Sequence, residues 1–233
     1  MVKSVVIDAK NLVKKYGNKS VVDGVHFEVF GGECYGILGP NGAGKTSTMR
    51  MIYCSTSVSA GQLNVLGLDV KDHQSEIKSK LGIVPQHDGL DPDFSVRENL
   101  ELYCGYHGIL KKDSKEKIDG LLRDLDLTEH QTKKVDELSG GLRRRVVIAR
   151  SLVNDPEIVI LDEPTTGLDP QARLWIWEKL KRYKKSGKTL ILTTHYMEEA
   201  EKLCDRVVVM DHGKFLAEGT PADLIRKYVG HEV

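Results

Sequence analysis

Residues 34–52 read CYGILGPNGAGKTSTMRMI. The opening CYGIL is apolar and strand-length, and Gly31-Gly32 turns the chain into it, so it reads as a short buried strand. Lys45 through Ile52 reads as a helix. Between them GPNGAGKT, residues 39–46, fits G-x-x-x-x-G-K-[ST]. Strand, glycine-rich turn and helix in that order make a phosphate loop. Its glycines let the backbone curl so that N–H groups point inward at phosphate oxygens, and the helix N-terminus adds partial positive charge. Gly39, Pro40, Asn41, Gly42, Ala43 and Gly44 supply that backbone. Lys45 reaches the β- and γ-phosphates, and the Thr46 hydroxyl ligates Mg2+. A plain turn before a helix is the alternative, and the flanking strand and helix argue against it.

Other strand ends converge on the same chemistry. IVILDEP, residues 158–164, is an apolar strand that ends on Asp162 and Glu163. In an open α/β sheet that edge holds the ligand. Asp162 can hold Mg2+ there, directly or through water, and Glu163 can orient or deprotonate a water beside the γ-phosphate. TLILTTH, residues 189–195, carries His195 to the same edge for a γ-phosphate contact. KLGIVPQ, residues 80–86, does the same for Gln86, whose amide sits near Mg2+ or the attacking water, or simply ends a strand. Tyr16, before a Gly-Asn turn, stacks on a nucleobase or is a tyrosine at the edge of the core.

The 233 residues are 40% hydrophobic and 29% charged, which suits a real core under a soluble surface. The 34 basic and 34 acidic side chains balance, which argues against a dedicated nucleic-acid binder. Cys34, Cys54, Cys104 and Cys204 lie far apart without a C-x-x-C pair, so they read as reduced cytosolic thiols in the core rather than metal ligands. The opening MVKSVVIDAK has no long apolar stretch, so no signal peptide is expected, and the longest apolar runs fall far short of the roughly twenty residues of a membrane helix. The chain is expected not to span a bilayer alone, while contact with a membrane protein stays open.

The first part of the chain is strand-rich, from VVIDAKNLVKKY through VHFEVF. Residues 93–153 read as helical. Ser95 and Glu98 form an S-x-x-E capping box, with Val96, Leu100 and Tyr103 on one face. Asp113 or Ser114 is expected to cap the next helix, whose stripe is Ile118, Leu121, Leu122 and Leu125. A third helix follows Ser139, with Leu142, Val146, Ala149 and Val153 at helical spacing. Strands EIVILD, TLILTT and RVVVM then alternate with helices QARLWIWEKLKRYKK and MEEAEKLC, which predicts a parallel sheet covered by helices. Thr220-Pro221 starts a short final helix.

One stretch remains: LSGGLRRR, residues 138–145. Ser139 is a good N-cap and Gly140-Gly141 a flexible lead-in. A helix start stripped of side chains is also an anion site. Together these stretches resemble the ATP-binding subunits of ABC transporters, over nearly the whole chain and in the family's order. The resemblance implies that Tyr16 stacks on adenine. It makes residues 39–46 the Walker A loop, with Ser47 as a further phosphate contact. Gln86 becomes the glutamine that binds Mg2+ and senses the membrane subunit. Asp162 becomes the Walker B aspartate, Glu163 the catalytic glutamate and His195 the switch histidine. Asp169, in TTGLDP, falls in the loop at the dimer interface. LSGGLRRR matches the signature LSGGQ, so Ser139, Gly140 and Gly141 meet the γ-phosphate of ATP bound to the other subunit. Two copies would sandwich two ATP molecules. Leu142 stands where glutamine is commonest and fits the apolar stripe of its helix. Arg143, Arg144 and Arg145 are expected to form a solvated face near the phosphates.

The implied fold is α/β: a RecA-like P-loop NTPase core with an antiparallel β-subdomain, residues 1–86 and 151–233, and an inserted α-helical subdomain, residues 87–150. Gln86 is the hinge between core and helices. ATP and Mg2+ are the implied cofactors. Transmembrane permease subunits and, in the ATP-bound state, a second copy of the chain are the implied partners, with no nucleic acid. The implied place is the cytoplasmic face of the cell membrane, held peripherally. The tail HYMEEAEKLCDRVVVMDHGKFLAEGTPADL is similar to the drug- and polysaccharide-export branch with ABC-2-type partners. Two other readings compete. A soluble ABC-type ATPase of DNA repair or translation usually carries a coiled-coil insertion or a second such domain. A small-molecule kinase does not account for LSGG and His195.

Overall fold

In β1 (Val5–Tyr16) and β2 (Lys19–Phe30) buried residues alternate with exposed ones, and the two strands pair antiparallel. Ile7, Ala9 and Leu12 face Val22, Val25, Phe27 and Val29 over one core. The structure is a computed structural model that describes residues 4–228. The turn at Gly31-Gly32 leads into β3 (Cys34–Leu38), which is buried through Ile37, and then into α1 (Lys45–Ile52).

Three elements follow that the sequence reading left out: β4 (Ala60–Val65), β5 (Leu68–Asp69) and α2 (Gln74–Ser79). In β4 only Leu63 and Val65 are fully buried, and Gly61 has a φ of 87°, so the alternation is too short to stand out. β4 pairs antiparallel with β1 and completes a four-stranded sheet in the order β2-β1-β4-β5.

β6 (Leu81–Val84) precedes the helical stretch of α3 (Val96–Tyr106), α4 (Lys111–Asp124) and α5 (Gly140–Ser151). The capping box at Ser95 forms as expected: Glu98 N–H donates to Ser95 Oγ at 3.3 Å, and Ser95 N–H to Glu98 Oε2 at 2.8 Å. Neither Asp113 nor Ser114 caps α4. The helix starts at Lys111 with Leu110 at the cap position, and the buried Ser114 hydroxyl donates back to Lys111 O at 2.9 Å. Lys111 and Lys112 are good helix formers and extend the helix upstream. Val96 and Leu100 of α3 pack with Ile118, Leu122, Val146 and Ile148 in one cluster, and Tyr103 lies half-buried against it.

The last part alternates as predicted: β7 (Ile158–Asp162), α6 (Pro170–Lys185), β8 (Thr189–Thr194), α7 (Met197–Leu203) and β9 (Arg206–Asp211). An unanticipated antiparallel edge strand, β10 (Lys214–Gly219), precedes α8 (Pro221–Tyr228). The six-stranded sheet runs β10-β9-β3-β8-β7-β6 and is parallel from β9 to β6. Ile158 and Ile160 of β7 pack toward the antiparallel sheet, while Val159 and Leu161 pack toward the helices. Burial on both faces explains why these strands are uniformly apolar. All four cysteines are buried and free. Among the described residues no helix is long and apolar enough to cross a membrane.

Strand register places the chemistry. Leu38 pairs with Thr194, Thr193 with Asp162, and Leu161 with Val84. The segments that leave β3, β6, β7 and β8 therefore emerge side by side at one sheet edge.

The segment after Gln86 is shaped by one buried side chain. Asn99 Nδ2 donates to Asp91 O (3.0 Å), Phe94 O (3.3 Å) and Ser95 O (3.1 Å), and Asn99 Oδ1 accepts from Asp91 N at 2.9 Å. Asn99→Ala strands these groups, and we expect it to lower the unfolding free energy by about 2–3 kcal/mol. Urea titration of both proteins checks this; equal midpoints would refute it.

Candidate active site

The loop after β3 is tight enough to require glycine at two points. A Cβ on Gly39 would lie 2.1 Å from Met210 O, and one on Gly44 would lie 2.4 Å from Val21 O. Gly44 also has a φ of 110°, a backbone that side chains rarely adopt. α1 starts directly after it. Lys45 is 4% exposed. Its Nζ donates to Gly39 O at 2.7 Å and to Pro40 O at 3.0 Å, so the cation is held inside its own loop. A cavity of about 390 Å3 opens there, lined by Asn41, Gly42, Gly44, Lys45, Thr46, Ser47, Gln86 and Glu163.

Glu163 lines this cavity, and its neighbour Asp162 bonds to Thr46 behind it. Asp162 Oδ1 accepts from Thr46 Oγ1 at 3.2 Å and from Thr193 Oγ1 at 2.5 Å. Glu163 has a φ of 47°, uncommon for a residue with a side chain. Its N–H donates to both Thr193 O and Thr193 Oγ1 at 3.1 Å. Lys45 Nζ lies 3.5 Å from Glu163 Oε1. Glu163 Oε2 accepts from Thr166 Oγ1 at 3.2 Å and from Gln86 Nε2 at 3.4 Å. His195 Nδ1 lies 3.5 Å from the same oxygen, at ion-pair distance but outside hydrogen-bond geometry. Glu163 is thus the point at which the loop lysine, Gln86 and His195 meet.

The donors around Asp162 suit a hard cation. Thr46, Thr193 and Asp162 offer oxygen alone, the ligand type Mg2+ prefers. No group of three or more His, Cys, Asp or Glu side chains among the described residues could hold a metal ion. A cation at Thr46 and Asp162 would complete its shell from phosphate oxygens and water.

Tyr16 ends β1, and its ring is half-exposed, with Lys14 Nζ 4.9 Å from the ring centroid. Burial pushes its hydroxyl up, but contacts with Thr56 and Ser47 and the cations Lys14 and Arg50 outweigh this and hold it below the usual tyrosine range.

Ser139 caps α5, accepting from Leu142 N at 3.3 Å, and Ser139 and Gly140 are exposed. Ser139, Gly140 and Gly141 are not among the residues lining the Lys45 cavity. Ser139 and Gly141 line a cavity of about 260 Å3 with Asp169 and Trp175. Gly140 lines another of about 230 Å3 with Gln86 and Glu163. Asp169 is exposed and caps α6, accepting from Ala172 N at 2.9 Å.

The three arginines do not form a solvated face. Arg144 is 4% exposed. Its Nη1 donates to Pro85 O at 2.6 Å, and its Nε to Pro164 O at 2.7 Å. Its Nη2 donates to Asp162 O and Glu163 O, both at 3.3 Å. Burial pushes this guanidinium down to about 10, against the pull of nearby Asp88 and Asp162. Arg145 stacks 3.7 Å over Trp175, and Arg143 is half-buried. The reason lies in the helix: every residue from 146 through 151 is buried, so α5 has no free polar side. The unbroken apolar run VVIA, residues 146–149, was the available signal. Sequence reading also passed over Thr193, although a Thr-Thr pair closing an apolar strand marks it. It passed over Glu199 as well, which is buried and accepts from Thr165 Oγ1 at 2.6 Å and Trp177 Nε1 at 3.0 Å.

Comparison with known proteins identifies the family. The profile of the family described as "ABC transporter" matches residues 22–166. The "Nod factor export ATP-binding protein I" of Ralstonia nicotianae is 47% identical over 228 residues, covering 98% of this chain and 71% of that protein. The fold matches cbiO1 of Clostridium perfringens, part of the ABC transporter complex cbiONQ, with a TM-score of 0.87 and 26% identity over 98% of this chain and 93% of that one. It also matches an ATP-binding cassette in a dimeric, post-hydrolysis state bound to ADP and Pi, with a TM-score of 0.84 and 27% identity over 92% of this chain and 98% of that one. With a RecA-like P-loop fold and relatives of this kind, the chain belongs to the ABC transporter family as an ATP-binding subunit that hydrolyses ATP.

Proposed function

We propose that this chain drives export through a transmembrane permease by closing on a second copy of itself around ATP and reopening after hydrolysis. The convergence of Lys45, Gln86 and His195 on Glu163, at the wall of the phosphate-loop cavity, carries this reading. Curated relatives are named for Nod factor export, which supports the outward direction.

The division of labour is as follows. Of the described residues, those up to 86 and from 151 onward form the nucleotide-binding core with its β-subdomain, and residues 87–150 form the helical subdomain; the outermost residues of the expected 1–233 span lie outside the described residues. Tyr16 stacks on the base. Gly39, Pro40, Asn41, Gly42, Ala43 and Gly44 wrap the phosphates, and Ser47 adds a hydroxyl. Lys45 exchanges its two loop carbonyls for phosphate oxygens. Thr46, Asp162 and Gln86 would hold Mg2+, which when bound neutralises charge on the transferring phosphate. Glu163 accepts a proton from the attacking water. His195, within reach of Glu163 Oε2, helps to hold the γ-phosphate side of the site.

Ser139, Gly140 and Gly141 act on the nucleotide of the partner copy, and Asp169 faces that copy. The exposure of Ser139, Gly140 and Asp169 supports the arrangement. Contacts across the pair last only while the γ-phosphate is attached, so its loss releases the partners. Gln86, at the junction with the helical subdomain, passes that motion to the permease, which holds the chain peripherally on the cytoplasmic face of the membrane.

Glu163→Gln removes the base and keeps the shape. We expect ATP turnover to fall by about two orders of magnitude or more, with an ATP-bound dimer accumulating on size exclusion. Normal turnover would remove Glu163 from its role. Thr193→Val deletes the hydroxyl that donates to Asp162 and accepts from Glu163 N. The loss of a hydrogen bond to a charged group is worth about 1.5–3 kcal/mol. If it is felt in the transition state, kcat falls by about ten- to a hundredfold. Steady-state ATPase assays check this, and an unchanged kcat would refute it.

A further inference from the structure

Arg144 bonds to the backbone of two segments that border the site. Its three guanidinium nitrogens donate to four backbone carbonyls from two different segments. One is Pro85 O, next to Gln86; the others are Asp162 O, Glu163 O and Pro164 O. Asp88 Oδ1 lies 3.8 Å from its Nη1 and adds a countercharge from the Gln86 side. The side chain is 4% exposed, so water does not offer these carbonyls an equivalent partner.

The arrangement complements the contacts on the other side of Glu163. The Glu163 N–H is tied to Thr193, and its C=O and that of Pro164 are tied to Arg144. A residue at a φ of 47° stays there when its surroundings fix it from both sides. Pro164 has no N–H to contribute, so the carbonyls are the remaining handles on this turn. Arg144 itself stands on α5, the helix that Ser139 caps.

We propose that Arg144 is a positioning residue: its guanidinium clamps the Gln86 segment and the Glu163 turn to α5, so that amide and carboxylate face one water and one phosphate in a fixed geometry. The proposal rests on Glu163 being the base. A planar cation with forked donors is required, because the carbonyls come from several directions. Lysine offers a single point charge and does not replace it.

The test compares Arg144→Lys and Arg144→Met with Glu163→Gln, in the full chain. Turnover is expressed per nucleotide-binding site, counted with a non-hydrolysable ATP analogue, so that misfolded protein does not dilute the rate. Misplacing a catalytic group by about 1 Å costs about a hundredfold. Arg144→Met should lose about that much turnover per site and Arg144→Lys about tenfold or more, while analogue affinity changes by less than about threefold. Both variants should accumulate an ATP-bound dimer on size exclusion, as Glu163→Gln does, because hydrolysis is slowed and the Ser139 end of α5 still works. If Arg144→Met does not fold, Arg144→Lys carries the same comparison. Turnover per site within about twofold of wild type in the folded variants would overturn the proposal. So would parallel loss of affinity, dimer and turnover, which would mean a general disruption of α5. Normal turnover in Glu163→Gln would instead remove the base assignment, and the proposal with it. Loss in Glu163→Gln beside undisturbed Arg144 variants would overturn the positioning role alone.

Discussion

The parallel register of β3, β8 and β7 sets Leu38 beside Thr194 and Thr193 beside Asp162. Each strand then releases its chain at the same edge, where backbone N–H groups and a helix start already favour anions. A one-residue slip in β7 would turn Asp162 to the other face of the sheet and bury its carboxylate against apolar side chains. The apolar pattern forbids this, since Ile158 and Ile160 belong to one core and Val159 and Leu161 to the other. Hydrophobic patterning, which knows nothing of phosphate, thus fixes where the carboxylates stand.

At that edge four charged groups are nearly dry: Lys45, Asp162, Glu163 and Arg144. Two are basic and two acidic. Burying them costs several kcal/mol each before pairing, and the cost is offset by contact with one another and with backbone carbonyls. Such a cluster contributes little net stability. What it supplies is a defined arrangement, because removing one member leaves another uncompensated. Lys45 sits on carbonyls of its own loop and 3.5 Å from Glu163, positions from which phosphate oxygens can draw it.

Much of this was legible in the sequence because it is local. The phosphate loop announces itself through glycine, lysine and threonine at fixed spacing, and Asp162, Glu163 and His195 through their place at the ends of apolar strands. The elements that escaped are those whose definition is not local. β10 is a half-exposed edge strand fixed by β9, and the second residue of β4, Gly61, is dictated by the close approach of Asn11 O. Arg144 escaped for a related reason. A charged residue between two other arginines reads as surface, and its burial is decided by carbonyls from residues 85 and 162–164. The cap of α4 was misjudged because Ser114 is a good cap by type, while the helix had already begun at Lys111.

In the proposed function each ATP site is assembled from two chains, the Lys45 loop of one and the Ser139 helix start of the other. The direct measurement mixes two inactive chains. Lys45→Ala lacks a working phosphate loop but keeps its signature, and Ser139→Arg keeps the loop but blocks the signature. Each alone should fail to hydrolyse ATP, and a mixture should recover turnover, because one intact site forms in the mixed dimer. A Ser139→Arg chain that hydrolyses ATP by itself at the wild-type rate would refute two-chain assembly, since a single chain would then complete its own site.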